Sequence, residues 1–147
     1  MPKARMLFRL LAVALAAVMV LGTAAPSSAR LSDRERNLAR LVNKARAAHS
    51  RPALKVSAKI SLKARAQSRK MAKQGHLSHS CLQCRFQGWG WSALAENVAK
   101  ARTVHKAHKA FMGSAGHRVN VLGPYKKLGT GVVKARGWLW VTEIFYR

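Results

Sequence analysis

The chain has 147 residues, with 28 Lys and Arg against four Asp and Glu, and a formal charge of +24. That length suits one domain rather than several. The charge excludes a predominantly acidic surface and favours anionic partners such as envelope polymers, acidic lipids or released nucleic acid. No zinc-finger spacing or aromatic strand motif accompanies it, so no specific nucleic-acid motif is present.

Residues 1–29 read as a signal peptide. Lys3, Arg5 and Arg9 form a basic start, Leu10 to Leu21 is an unbroken apolar run, and Ser27-Ser28-Ala29 supplies small residues for cleavage. The run is shorter than the roughly 20 residues that span a bilayer, so no transmembrane anchor is expected. The expected product is a secreted, extracellular, monomeric domain of residues 30–147, with 25 Lys and Arg, four acids and a charge of +21. Its bases recur at helical intervals, as in Arg34, Arg36, Arg40 and Lys44, which reads as a solvated cationic surface rather than one binding tract.

Ser32-Asp33-Arg34-Glu35 is a capping box, and Leu38, Leu41, Val42 and Ala45 then recur with helical period through about Ala48. Ser50-Arg51-Pro52 ends that helix, and Leu54 and Val56 belong to an extended link. Ser57 caps a second helix with Ile60, Ala64, Ser68 and Met71 on one stripe, ending near Gly75. His76 to Trp91 is loop-like and carries both cysteines. In an exported chain, Cys81-Leu82-Gln83-Cys84 points to a local disulfide, with thiol exchange as the alternative.

Ser92 to Ala99 is predicted as a short helix containing Glu96. Thr103 caps another, with Val104, Ala107, His108 and Phe111 facing inward, which stops around Ser114-Ala115-Gly116. His108 is expected as a satisfied core histidine, and His76 as solvent-exposed. Gly129 to Lys134 and Trp138 to Tyr146 are strands of a hairpin turning at Ala135-Arg136-Gly137. The last strand is apolar on both alternating faces, so it should be covered on both sides. Glu143 within it is expected to pair with one of the many bases, with replacement of a missing cleft acid as the alternative. Trp89 and Trp91 would form an apolar lip or seal the core beneath their loop. Helices preceding a late, doubly covered hairpin imply an α/β layered domain.

Several segments, in order, resemble the CAP superfamily of cysteine-rich secretory and pathogenesis-related proteins, in its short bacterial SCP-like form. Leu41-Val42-Asn43-Lys44-Ala45-Arg46 is similar to "LVNxxR", Leu77-Ser78-His79-Ser80 to the "FSH" turn, and Ala95-Glu96-Asn97-Val98-Ala99 to "GENVA". Phe111 to Leu122 is similar to "WMNSPGHRANIL", and Gly129 to Val132 and Trp140 to Phe145 to the "GVGV" and "WVTQxF" strands. The resemblance implies an αβα sandwich with a cleft lined by two histidines and two acids. It assigns His79, Glu96 and His117 to three of those places and puts Ser114 in the fourth. Ala95, Ala115 and Glu143 depart from the pattern, standing where glycine, proline and glutamine are usual.

Two imidazoles and a carboxylate could hold Zn²⁺ or another divalent cation, with His79 and His117 as the ligands and Glu96 as a third ligand or an orienting acceptor. The absence of a second carboxylate at Ser114 weakens a catalytic metal. No catalytic residue is therefore assigned, and the enzyme question stays open with the weight against it. The expected function is an extracellular binding module for an apolar or envelope ligand. The alternatives are a metal-assisted hydrolase of peptide or wall material and a cationic antimicrobial or nucleic-acid-associated protein.

Overall fold

Ser32 opens the first helix as the sequence predicts: its Oγ accepts from the Glu35 amide and its own amide donates to the Glu35 carboxylate. The computed structural model describes residues 30–147, so the expected signal peptide lies outside the described residues. The first helix, α1, covers Asp33–Ala48 and buries Leu38, Ala39 and Val42 along one stripe. A short strand, β1 (Lys55–Val56), leads into α2 (Ala58–Gln74), which is capped by Ser57 and ended by Gly75 at φ 80°. Only glycine takes that left-handed geometry without a steric penalty.

The loop after α2 contains one helical turn, α3 (Leu82–Arg85). The segment predicted as a helix around Glu96 is instead a strand, β2 (Leu94–Ala101). It pairs antiparallel, from Leu94 opposite Tyr146 to Ala101 opposite Leu139, with the last strand, β4 (Trp138–Tyr146). The local preference of Ala and Glu for helix is outweighed by this long ladder and by burial on both faces. Between them lie α4 (Val104–Gly113), α5 (Ala115–Leu122) and β3 (Lys127–Ala135). The sequence reading ended the helical region near Ser114, so α5 is an addition. Ser114 is extended and merely interrupts the path between two helices.

The four strands are ordered β1-β3-β4-β2, with β1 parallel to β3 and the others antiparallel. Arg136 and Gly137 turn the β3–β4 hairpin with φ of 50° and 74°, the positive angles that a two-residue primed turn requires. As a central strand, β4 is covered on both sides. Leu139, Val141 and Phe145 pack with α1, α4 and α5, whereas Trp140, Ile144 and Tyr146 pack with α2 and Phe86. The result is an αβα sandwich. Gly131 lets α2 lie directly on β3, since a Cβ there would meet the Ala64 carbonyl carbon and the Arg65 nitrogen at 2.3 Å. Among the described residues, no helix is long and apolar enough to cross a membrane.

Candidate ligand pocket

Register decides which way Glu96 points. It lies opposite Ile144, so its side chain shares the α2 face, while its neighbour Asn97 lies opposite Glu143 on the other face. The Glu96 carboxylate is buried and fully engaged. Oε1 accepts the Ser80 amide at 2.7 Å and faces His79 Nδ1 at 3.0 Å, and Oε2 accepts the Ser80 hydroxyl at 2.7 Å. The turn His79-Ser80 is thereby pinned to the start of β2, across a sequence gap that the resemblance implied. His79 remains 61 % exposed as a side chain, with its far ring edge open to solvent.

Beside this cluster lies a pocket of about 360 Å³. Its apolar walls are Leu82, Trp91 and Leu94, and its polar floor is His79, Ser80 and Glu96. The α3 turn forms one rim, and the Cys81–Cys84 disulfide expected from the sequence braces it. Trp91 is a partly exposed lip, as one reading of the Gly88–Trp91 segment held. Trp89 combines both readings: it is as exposed as Trp91, yet it packs edge-on against Phe86 at 5.1 Å, and its backbone carbonyl accepts the Tyr146 hydroxyl at 2.6 Å.

The other two cleft candidates are placed differently. Ser114 and His117 flank the start of α5 and do not line this pocket. The His117 ring packs on Phe111 at 5.4 Å, and its carbonyl accepts from Asn97 Nδ2. Nδ1 of His79 is occupied by Glu96, and among the described residues no three His, Cys, Asp or Glu side chains gather as ligands. The Glu96 contact on Nδ1 is the orienting role foreseen for that acid, and no chemical step is derived through a metal here.

Glu143 needs a correction. It is completely buried, and its contact is an amide rather than a base: Oε2 accepts from Asn97 Nδ2 at 3.1 Å, and Oε1 has no partner. Asn120 in turn donates to Asn97 Oδ1. Burial pushes the Glu143 carboxyl up to about 8, against a smaller lowering by Asn97, so burial favours its protonated form. His108 likewise departs from expectation, being half-buried with Nδ1 unpartnered. Burial, then the charge of His105, lowers its pKa. His76 is exposed, as expected.

Sequence reasoning passed over Arg46, which is buried and donates to the carbonyls of Pro52, Val121 and Gly123, each at 2.8 Å. The signal was available: Arg46 falls four residues after Val42 on the inward stripe of α1, where a base needs internal acceptors.

An αβα sandwich carrying the His79–Glu96 contact and the "GHRVNVL" helix defines a CAP-type domain. The chain belongs to the cysteine-rich secretory protein (CAP) family, whose model matches residues 39–145. It is similar to the uncharacterized protein YkwD of Bacillus subtilis, 30 % identical over 130 residues that cover 82 % of this chain and 49 % of YkwD. Among solved structures, an extracellular SCP-domain protein of Bacillus anthracis superposes with a TM-score of 0.70 at 26 % identity, covering 78 % of this chain and 40 % of that one. An outer surface protein of Borrelia burgdorferi shares the fold with a TM-score of 0.68 at 12 % identity, covering 76 % of this chain and 90 % of its own. The chain thus spans about half the length of the curated relative it matches.

Proposed function

We propose that this CAP domain is a secreted, extracellular binding module that takes an apolar or envelope-derived ligand into the pocket beside His79 and Glu96. One observation carries the reading: apolar walls surround a carboxylate whose oxygens are already occupied by Ser80 and His79. Such a carboxylate shapes the turn and orients His79 toward the pocket. The Ser80 hydroxyl donates to Glu96 instead of to His79, so the trio lacks the nucleophile-to-imidazole bond of an acyl-transfer triad. The volume falls within the roughly 300–1,000 Å³ of small-molecule sites. Extracellular and outer-surface relatives support placement outside the cell.

The test uses Nile red, a neutral apolar probe, followed by fluorescence at low and high salt. Saturable binding that survives high salt and is lost in Leu94→Asp supports the reading, provided circular dichroism shows the variant folded. Absence of saturable binding, or unchanged binding in the folded variant, overturns it. Binding that collapses with salt and ignores Leu94→Asp indicates a protein that works through surface charge alone.

A further inference from the structure

At the same end of the sheet, on the opposite face, lies a second pocket of about 450 Å³ lined by Arg46, Arg51, Tyr125, Lys126 and Arg147. Four of its nine lining residues are cationic, and Pro52, Ala53, Gly123 and Pro124 complete the walls. Arg51, Lys126 and Arg147 are exposed, whereas Arg46 is 1 % exposed and sits at the base. Its Nε and Nη1 hold the carbonyls of Pro52, Val121 and Gly123 and so fix the guanidinium plane.

None of the four acidic side chains neutralises this group. Asp33 pairs with Arg36, Glu35 with Arg65, and Glu96 with His79, while Glu143 meets Asn97. Burial, then the positive charge of Arg51, lowers the Arg46 pKa, which is the direction expected for a cation without a counter-charge. The walls are built in place. The Arg51 amide donates to the Arg46 carbonyl, the Lys126 amide to Tyr146, and the Arg147 amide to Ala93. Tyr125 is packed on Phe145 and lies so close to Gly123 that a Cβ there would meet its ring at 2.5 Å.

We infer that this basic pocket is an anion site for a phosphate-bearing ligand, separate from the His79–Glu96 pocket and independent of what that pocket binds. Arg46 supplies a fixed positive charge at the base of the pocket, and the exposed Arg51, Lys126 and Arg147 around it can bond phosphate oxygens and neutralise more than one negative charge. A single carboxylate would leave most of that positive charge unmatched.

Pyrophosphate is titrated into the protein by calorimetry at moderate ionic strength. Arg46 is left intact because it tethers α5, and the test variant is Arg51→Gln with Lys126→Gln. The control removes the same charge from the exposed face of α2, as Arg69→Gln with Lys73→Gln. One-to-one binding that weakens about tenfold or more in the pocket variant, and less than about twofold in the control, supports the site. No saturable binding, or equal weakening in both variants, overturns it. Phosphatidic acid vesicles identify the source. Vesicle binding that pyrophosphate displaces, and that the pocket variant loses, makes the ligand a lipid headgroup. Pyrophosphate binding without vesicle binding makes it a soluble phosphate compound.

Discussion

Asn97 Nδ2 meets Glu143 Oε2 at 3.1 Å across β2 and β4, with both residues completely buried. This is the only hydrogen bond among the described residues that supports the Glu143 carboxyl; as a donated N–H it favours the ionised form, but it does not offset the burial. The carboxyl has risen from 4.5 to about 8. At low pH both folded and unfolded chains carry the proton. Above the unfolded value the unfolded chain loses it first, so the stability from this group falls from about pH 4.5 until pH 8. At about 1.4 kcal/mol per unit, the full window amounts to an upper bound of about 5 kcal/mol. Glu143→Gln keeps a neutral group, offers an N–H where Oε1 lacks a partner, and abolishes that slope. Urea midpoints should be nearly equal for the two proteins at pH 4 and clearly higher for the variant at pH 8. Parallel profiles would mean that Glu143 is ionised in the folded chain.

Glu35 titrates with the opposite sign. Burial raises its pKa, but two 2.7 Å bonds from Arg65 and those from the Ser32 amide and hydroxyl outweigh it, and the carboxyl ends below 4.5. Its contribution is therefore complete above the unfolded value and disappears as pH falls through the lower folded value. The pair also joins α1 to α2, and Glu35 Oε1 accepts the Val132 amide from β3. Glu35→Gln breaks a buried pair and leaves Arg65 with a weaker acceptor, at a cost of about 3 kcal/mol at neutral pH. Denaturation at pH 7 against pH 3 should show this penalty shrinking in acid. A constant penalty would assign the loss to packing alone.

Period and capping made α1, α2, α4 and the final hairpin legible, because in each case the local signal and the tertiary surroundings agree. The helical stripe Leu38-Val42 and the turn Arg136-Gly137 need no knowledge of distant residues. The strand β2 does. Leu94 to Ala101 has helix-compatible residues, and only its partner β4, forty residues away, makes it extended. The site divides in the same way. Motif order located Glu96 near His79, since both flank one loop. The separation of Glu96 from Asn97 and His117 depends on which face each residue takes, and that follows from the register with β4. The fate of Glu143 was hidden for a related reason: abundance of Lys and Arg in the sequence says nothing about which of them can reach a buried strand.

Gly131 is required by the closeness of α2 rather than by its own backbone. A methyl group there would press on the backbone of Ala64 and Arg65 at 2.3 Å, and neither can move without displacing the helix. Gly131→Ala should therefore cost about 1–3 kcal/mol through overpacking. Gly116, in α5, has nothing within 4 Å of the corresponding position. Gly116→Ala should stabilise by up to about 1 kcal/mol through helix propensity. Thermal midpoints of the two variants should move in opposite directions, and a stable Gly131→Ala protein would show that α2 can slide on the sheet.

The disulfide at Cys81 and Cys84 acts on the pocket more than on the fold. It joins residues three apart, so it removes little freedom from the unfolded chain. The turn it braces has no buried residue of its own, and its attachment to the core runs through Phe86, which is fully buried beside Ile144 and Tyr146. Replacing both cysteines by serine should leave the global urea midpoint within about 1 kcal/mol of the parent. The turn itself should open more often, because Leu82 is only partly buried against the Phe86 cluster and Gln83 is exposed. Hydrogen exchange at Arg85 and Phe86, whose amides donate to Cys81 and Leu82, should accelerate while exchange in β4 stays slow. Acceleration spread evenly over the sheet would instead make the bridge a determinant of the whole fold.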